Sequence, residues 1–340
     1  MDVLTQSQIL FLACGALGLG IWMLIRGGDT TVNTSVYVAE KFGIPPLLVG
    51  FTIVGFGTSL PELIVAINAN LKGAGGIALG NVLGSNIANI LLVVGTVAII
   101  APLIAHPKAL WRDIVMMIVS SIIMLALLIH GSITALSGLM MLALLVGYII
   151  WQIKSPSPGV LVEEADQVVD MKADHAAYKN VWVAIFFLVL GLALISLGAE
   201  FLVRGAQVSA SIIGIPDAVI GLTVIAVGTS LPELATGIAA AKRRETDLLL
   251  GNIIGSNVFN ILSILGIASL FKPFTQESIS AQMVNFDAWV VLAVALMFTF
   301  LIFAFKRIGR LAGIIMVSVY CAYLFGLFAL YWQSGSTIPL

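Results

Sequence analysis

Long apolar runs separated by short polar segments dominate the 340-residue sequence. Each run is about 20 residues long, the length that an α-helix needs to cross a bilayer. The ten runs lie near residues 7–26, 43–70, 77–101, 112–130, 134–152, 181–203, 214–241, 248–271, 286–305 and 310–333. The pattern therefore predicts an all-α membrane protein with ten transmembrane helices. No strong breaker follows the first run of each half before Gly43 or Gly214, which favours a longer, tilted helix there.

One long polar segment, residues 154–179, divides the runs into two sets of five. We assign residues 1–153 to a first five-helix repeat, 154–180 to a linker and 181–340 to a second five-helix repeat. An odd number of spans makes the second copy enter the membrane from the opposite side. The predicted architecture is therefore two inverted five-helix repeats, related by a pseudo-two-fold axis in the membrane plane.

Basic residues are concentrated on one side of this predicted topology. That side carries Lys108, Arg112, Lys154, Lys172, Lys179, Lys242, Arg243, Arg244, Lys306, Arg307 and Arg310, whereas the other carries Lys72 and Lys272. Because cytoplasmic loops are enriched in Lys and Arg, we expect a multi-pass protein of the cell membrane with a cytoplasmic linker and both termini outside. Tryptophans near the span ends fit an aromatic belt at the membrane surfaces, namely Trp111, Trp151, Trp182, Trp289 and Trp332.

Composition excludes several other classes of protein. The chain is 60% hydrophobic and only 10% charged, with a mean hydropathy of +1.11, far outside the soluble range. The net charge of −1 and the scattered basic residues do not indicate a surface that binds nucleic acid. The lipid bilayer is the expected partner, and no protein partner is evident. The two cysteines, Cys14 and Cys321, stand alone, and the three histidines form no HExxH or nucleophile arrangement. We therefore expect neither an enzyme nor a bound cofactor.

A block of sequence occurs twice without a gap, at residues 55–89 and 226–260, which are 171 positions apart. Between the flanking ranges 43–95 and 214–266, 24 of 53 positions are identical, and the identities are concentrated on Gly, Pro, Ser, Thr, Asn and Glu. A repeat retained only for packing would preserve large apolar residues instead. The duplication therefore predicts an ion site to which each copy of the block contributes one half.

Each copy carries one glutamate, Glu62 or Glu233, within an apolar span that has no neighbouring Lys or Arg. An ionised carboxylate at mid-bilayer costs at least about 3 kcal/mol, so such residues usually face a cavity or a partner. The pair therefore requires a cation, a proton, or both in turn. The alternative is a protonated glutamate that is hydrogen-bonded inside the helix bundle.

Oxygen donors accompany each glutamate at helical spacing. Gly55, Thr58 and Glu62 are placed at i, i+3 and i+7, and Ala226, Thr229 and Glu233 repeat the pattern. Pro61 and Pro232 precede the glutamates and predict kinks that loosen the carbonyl groups of the preceding turn. One face of each helix then presents a carbonyl, a hydroxyl and a carboxylate.

The following helix of each half supplies a polar stripe. Its members are Asn81, Ser85 and Asn89 in the first copy and Asn252, Ser256 and Asn260 in the second. Small-xxx-small pairs next to the stripe, Gly80 with Gly84 and Gly251 with Gly255, favour close approach of helices. Asn86 and Asn257 lie off the stripe, and hydrogen bonding between helices explains them equally well.

The donors are all hard oxygens, with no His or Cys in either repeat, which favours calcium or sodium over zinc, copper or iron. Two carboxylates are neutralised by one divalent or by two monovalent cations, so the two ion types should compete for one centre. Mutually exclusive occupancy predicts a secondary antiporter that works by alternating access. Calcium/proton exchange is the alternative, because a buried glutamate pair can also carry protons, and a calcium-permeable channel is a third candidate.

The two GTSLPE motifs and the GNxxGSNxxN stretch after each resemble the alpha repeats of sodium/calcium exchangers in the calcium/cation antiporter superfamily, prokaryotic type. The resemblance covers essentially the whole chain and implies exchange of cytoplasmic calcium for external sodium, commonly three sodium ions per calcium ion, and hence an electrogenic cycle. It further implies that the first and sixth helices slide as gates. The implied ion ligands are Glu62, Glu233, Thr58, Thr229, Ser59, Ser230, Ser85, Ser256, Asn89, Asn260 and the carbonyls of Gly55 and Ala226. Some relatives, including potassium-dependent ones, have Asp where this chain has Asn260, which argues against potassium co-transport.

Overall fold

The structure, a computed structural model of the chain, describes residues 6–155, 180–212 and 226–334, and these are built almost wholly of helices. The first part contains α1 (Gln6–Phe42), α2 (Pro46–Thr58), α3 (Leu60–Leu71), α4 (Gly75–Ile100), α5 (Pro107–His130) and α6 (Ala135–Lys154). The second part contains α7 (Val181–Ile212), a short turn (Ala226–Gly228), α8 (Leu231–Lys242), α9 (Thr246–Phe271), α10 (Met283–Phe305) and α11 (Arg310–Ser334).

Among the described residues, eight helices are long and apolar enough to cross a membrane, or nine if the bent pair α2 and α3 counts as one span. The chain is thus a multi-pass membrane protein. Of the predicted span at 214–241, only the last part is described, as the turn Ala226–Gly228 and α8. The linker at 154–180 lies almost entirely outside the described residues, so the predicted division into repeats stays a prediction.

The first helix of each half is longer than the apolar runs indicated. Helix α1 continues past residue 26 to Phe42, and α7 continues past residue 203 to Ile212. Helix α1 ends where Gly43 adopts a φ of +63°, a left-handed conformation that glycine tolerates. These two helices pack against each other, and a Cβ on Gly20 would lie 2.7 Å from the carbonyl oxygen of Gly198. The polar residues beyond each apolar run therefore continue the helix instead of ending it.

The central core is formed by α4 and α9, whose most apolar segments are 72% and 89% buried. Helix α2 packs on the first half of α9 through two glycines. A Cβ on Gly251 would lie 2.3 Å from the Leu47 carbonyl oxygen, and one on Gly255 would lie 2.3 Å from that of Phe51. Only glycine allows this approach of the backbones. The segment equivalent to Leu47 and Phe51 in the second half, 218–222, lies outside the described residues, so the role of Gly80 and Gly84 stays a prediction.

Short extended segments connect the helices at both ends of the bundle. Strand β1 (Leu103–Ile104), after α4, pairs antiparallel with β2 (Arg307–Ile308), between α10 and α11. An isolated bridge joins Ile133, between α5 and α6, to Phe274, after α9. The segment that follows the core helix of one half therefore pairs with the last interhelical connection of the other half, and the two halves interlock.

Glu245, in the connection before α9, gives the protein a pH-dependent stability. Burial, together with the charges of Glu40 and Asp247, raises the pKa of this carboxyl to about 7 from an ordinary value of 4.5. Because the folded protein holds the proton more tightly, the ionised form is destabilising. This group therefore stabilises the fold fully below pH 4.5, and its contribution is lost as the pH rises through 7.

We expect Glu245→Gln, which removes the charge, to melt at the same temperature as the wild type near pH 4 and about 2 °C or more higher at pH 8. Thermal unfolding of the purified protein at the two pH values measures the difference. A difference that does not grow with pH would contradict the assignment.

Candidate ion site

The two glutamates lie in equivalent positions on broken helices. Helix α2 ends at Thr58, and α3 begins at Leu60, after the single residue Ser59, with its axis bent by 42° from that of α2. The backbone breaks at Ser59 and at its counterpart Ser230, which have φ and ψ near −86°, 2° and −91°, 5°. The sequence predicted a kinked helix at each proline. The structure instead places the proline in the first turn of a new helix, where its missing N–H costs nothing.

This break gives each glutamate a favourable electrostatic position. Glu62 lies in the first turn of α3 and Glu233 in the first turn of α8, where the positive end of the helix dipole stabilises a carboxylate. Both side chains are 0% exposed, and they are close enough to repel each other. The carbonyl end of α2 adds its partial negative charge to the same region. The site therefore combines two buried acidic groups with oxygen dipoles that suit a cation.

Hydroxyl groups pair across the two halves of the chain. Thr58 Oγ1 lies 3.3 Å from Ser256 Oγ, and Thr229 Oγ1 lies 3.3 Å from Ser85 Oγ. Since Thr229 and Ser256 are the repeat equivalents of Thr58 and Ser85, the two contacts are reciprocal. In each pair, the threonine four residues before a glutamate meets the serine from the opposite half.

Further contacts connect the halves directly at the glutamates. Ser59 Oγ donates to Glu233 Oε1 at 3.4 Å, and Ser256 Oγ donates to the Gly55 carbonyl at 3.3 Å. Ser230, the equivalent of Ser59, is buried, and its Oγ has no partner among the described residues. Ala226 opens the short turn before Ser230, and the ligand role of its carbonyl stays a prediction.

Asn89 and Asn260 are both fully buried. Each is the first residue of a π-helical segment, Asn89–Val94 in α4 and Asn260–Leu265 in α9. Such wide turns within α-helices are rare and are frequent at functional sites. The amide side chains of both asparagines have no hydrogen-bond partner in the described part of the chain.

The carboxylates share this lack of partners. Both oxygens of Glu62 and Oε2 of Glu233 are buried without a hydrogen bond from any described residue. Buried polar atoms are almost always satisfied in folded proteins, because an unpaired one costs free energy. A bound cation would satisfy them, and the donors around them are hydroxyl, amide and carbonyl oxygens suited to calcium or sodium. Within the described ranges, no third His, Cys, Asp or Glu side chain joins the two glutamates in a metal-binding group.

Sequence reasoning gave no role to Thr236 and left Asn252 out of the ligand set. Asn252 Oδ1 lies 3.2 Å from Thr58 Oγ1, and Asn252 Nδ2 donates to Thr236 Oγ1 at 3.0 Å. Asn252 thereby holds Thr58, the threonine close to Gly55, in place. Thr236 is not marked by the repeat, because its equivalent in the first copy is the apolar Val65. Its position three residues after Glu233, on the same helical face, was the available signal.

Asn86 and Asn257 have a different role from the polar stripe. Asn86 Nδ2 donates to the Val82 carbonyl and Asn257 Nδ2 donates to the Ile253 carbonyl, both at 2.9 Å and both within their own helices. The Nδ2 atoms of both amides are thus satisfied within their own helices, whereas their Oδ1 atoms are buried without a partner among the described residues.

The chain is similar to known exchangers over almost its whole length. It matches the family "Sodium/calcium exchanger protein" over residues 12–154 and 183–329. It is 34% identical to inner membrane protein YrbG of Escherichia coli (strain K12), covering 96% of this chain and 98% of YrbG. It is 32% identical to sodium/calcium exchanger MaX1 of Methanosarcina acetivorans, covering 91% of this chain and 97% of MaX1.

A solved structure supports the same relationship. The sodium-calcium exchanger NCX_Mj, soaked with 2.5 mM Na⁺ and 0.1 mM Ca²⁺, matches with a TM-score of 0.78 and 33% identity, covering 93% of this chain and 98% of that chain. Sequence and fold therefore agree over both halves, beyond the repeated motifs. The chain belongs to the sodium/calcium exchanger protein family.

Proposed function

We propose that this protein exchanges calcium for sodium across the cell membrane, and that both ions bind between Glu62 and Glu233. One observation carries the proposal: two fully buried carboxylates whose oxygens, Oε1 of Glu233 apart, lack partners in the described part of the chain, surrounded by neutral oxygen ligands. The other proposed ligands are Thr58, Thr229, Ser59, Ser230, Ser85, Ser256, Asn89, Asn260 and the carbonyls of Gly55 and Ala226. Calcium and sodium are the transported substrates, and no cofactor is proposed.

Charge balance explains why transport of the two ions would be coupled. Two ionised carboxylates in a buried site are unfavourable unless cations neutralise them. One calcium ion or two sodium ions supply the required charge, and the two loads exclude each other. If the site can change the side of the membrane to which it opens only when its carboxylates are neutralised, each calcium ion that moves one way must be exchanged for sodium ions that move the other way. Neither ion then leaks. A third sodium ion would bind among neutral oxygens and would make each cycle electrogenic.

Reciprocal contacts support ten spans in two inverted repeats. Phe274 lies 171 positions after Leu103, and both pair with the last interhelical connection of the opposite half, at Ile133 and Ile308. The hydroxyl pairs of the site follow the same rule. Such equivalence is expected of two halves related by a pseudo-two-fold axis. The tenth span of this proposal is the predicted one at 214–241, whose first part lies outside the described residues.

We place the linker in the cytoplasm and both termini outside, since the positively charged loops lie on the linker side. Lys108, next to the start of α5, and Lys154, at the end of α6, are exposed on that side. In this orientation, alternating access would expose the site in turn to external sodium and to cytoplasmic calcium.

Flux into reconstituted vesicles tests the proposed function. Vesicles loaded with sodium and diluted into sodium-free buffer should take up radioactive calcium, and an inside-positive potential should accelerate uptake because net positive charge leaves with sodium. Vesicles without sodium but with a pH gradient should show no uptake above background. Equal uptake driven by the pH gradient would indicate proton coupling, and uptake without any counter-ion would indicate a channel.

A further inference from the structure

An aspartate and a tyrosine connect the fourth and fifth predicted spans of each half. In the first half, Tyr148 Oη of α6 donates to Asp113 Oδ1 of α5, and Gln152 Nε2 donates to the same oxygen at 2.5 Å. In the second half, Tyr323 Oη of α11 donates to Asp287 Oδ1 of α10 at 3.1 Å. Because the Asp–Tyr contact occurs in both halves, it is part of the scaffold and does not require the neighbouring residues that differ between them.

Arg112 is such a difference, since Phe286 precedes Asp287 where Arg112 precedes Asp113. The guanidinium carbon of Arg112 lies 4.5 Å from the ring centroid of Trp151 and 5.6 Å from that of Trp111. Its Nη1 donates to the Ser155 carbonyl. Its Nε is buried without a partner. The neighbouring carboxylate of Asp113 interacts with the charge of Arg112 but lies beyond ion-pair distance, and its Oδ1 already accepts from Tyr148 and Gln152. The arginine thus keeps unused donors and a positive charge that suit an anion.

An apolar groove of about 540 Å³ begins at Arg112 and the two tryptophans and runs between α5 and α6. Val115 and Val119 line it from α5, and Leu144 and Gly147 line it from α6. Both valines are exposed, and this face of a membrane-spanning helix pair meets lipid. At Gly147, a Cβ would have no heavy atom within 4 Å in the described structure, so the missing side chain widens the groove.

We propose that this groove binds an anionic phospholipid, with one acyl chain between α5 and α6 and the phosphate on Arg112. The apolar walls match the chain, the unused guanidinium donors match the phosphate, and Trp111 and Trp151 lie at the level where tryptophan meets the lipid headgroups. Exposed Lys108 and Lys154 at the same helix ends add to the attraction for anionic lipid. A free phosphate ion would use the arginine and leave the apolar groove unexplained.

Native mass spectrometry of the purified full-length protein, with phosphatidylglycerol and phosphatidylcholine added in equal amounts, tests the proposal. We expect the wild type to retain phosphatidylglycerol in preference to phosphatidylcholine. Arg112→Gln should lose about fivefold or more of this preference, the effect of one interfacial arginine. Gly147→Leu, which fills the groove with a good helix former, should reduce retention of both lipids.

Gly326→Leu is the matched control, because its Cβ would also meet no described heavy atom within 4 Å and it lies on α11, away from the groove. It should retain lipid as the wild type does, and thermal unfolding should show that all three variants remain folded. Equal retention of the two lipids, an unchanged preference in Arg112→Gln, or full displacement of phosphatidylglycerol by inorganic phosphate would overturn the proposal. So would a dimer that disappears in Gly147→Leu, which would identify a second copy of the chain as the occupant.

Discussion

Glu62→Gln and Glu233→Gln are each expected to reduce sodium-dependent calcium uptake by at least about 100-fold. Glutamine keeps the shape of the side chain but removes one of the two charges that hold a divalent ion. Loss of one partner from a buried charged site typically costs about 3 kcal/mol or more, which corresponds to about two orders of magnitude in affinity. Initial rates of radioactive calcium uptake into sodium-loaded vesicles measure the loss.

Asn86→Ala is the control for the glutamate variants. Asn86 lies in the same buried region, but its amide donates to the Val82 carbonyl of its own helix, so we expect a smaller loss. Cooperative thermal unfolding of the glutamate variants in calcium-free buffer should show that they remain folded. An equal loss of uptake in all three variants would contradict the assignment of the ligands.

Gly255→Ala should have the second largest effect, although this residue is not among the proposed ion ligands. Its new Cβ would lie 2.3 Å from the Phe51 carbonyl oxygen, a backbone atom that moves only if α2 moves away from α9. Overpacking of this kind costs about 1–3 kcal/mol. The shift would also separate Thr58 from Ser256, which are 3.3 Å apart. We therefore expect both a lower melting temperature and loss of calcium uptake.

Gly18→Ala is the matched control for Gly255→Ala. A Cβ at Gly18 of α1 would have no described heavy atom within 4 Å, and alanine favours the helix over glycine. This variant should melt at or above the wild-type temperature and transport normally. If Gly255→Ala behaved in the same way, the close packing of α2 on α9 would not be what assembles the site.

The sequence predicted the components of the site better than their pairing. Glu62 and Glu233 stood out because a carboxylate in an apolar span is costly, and the duplication marked the hydroxyls and amides around them. An internal repeat shows which residues of the two halves are equivalent, however, but not which residue of the opposite half each of them contacts. The pairs of Thr58 with Ser256 and of Ser85 with Thr229 therefore emerge only from the packing of α2, α4 and α9.

The helix break at Ser59 and the two Asp–Tyr pairs were not predicted from the sequence, for different reasons. The break at Ser59 depends on the serine backbone as well as on Pro61, and a proline alone predicts a kink within one helix. The duplicated pairs of Asp113 with Tyr148 and Asp287 with Tyr323 were hidden because the aspartates are 174 positions apart, whereas the repeated motifs are 171 apart. A small change in loop length removes such a pair from an ungapped comparison.

Calcium binding to the purified protein at increasing sodium concentration tests the central claim that both ions use one site. Calorimetric titration should give an apparent calcium dissociation constant that rises with more than the first power of sodium concentration, since more than one sodium ion must leave for each calcium ion. Calcium binding should be at least about 100-fold weaker in Glu62→Gln at every sodium concentration. A calcium affinity that does not change with sodium, or that survives in Glu62→Gln, would contradict a shared site between the two glutamates.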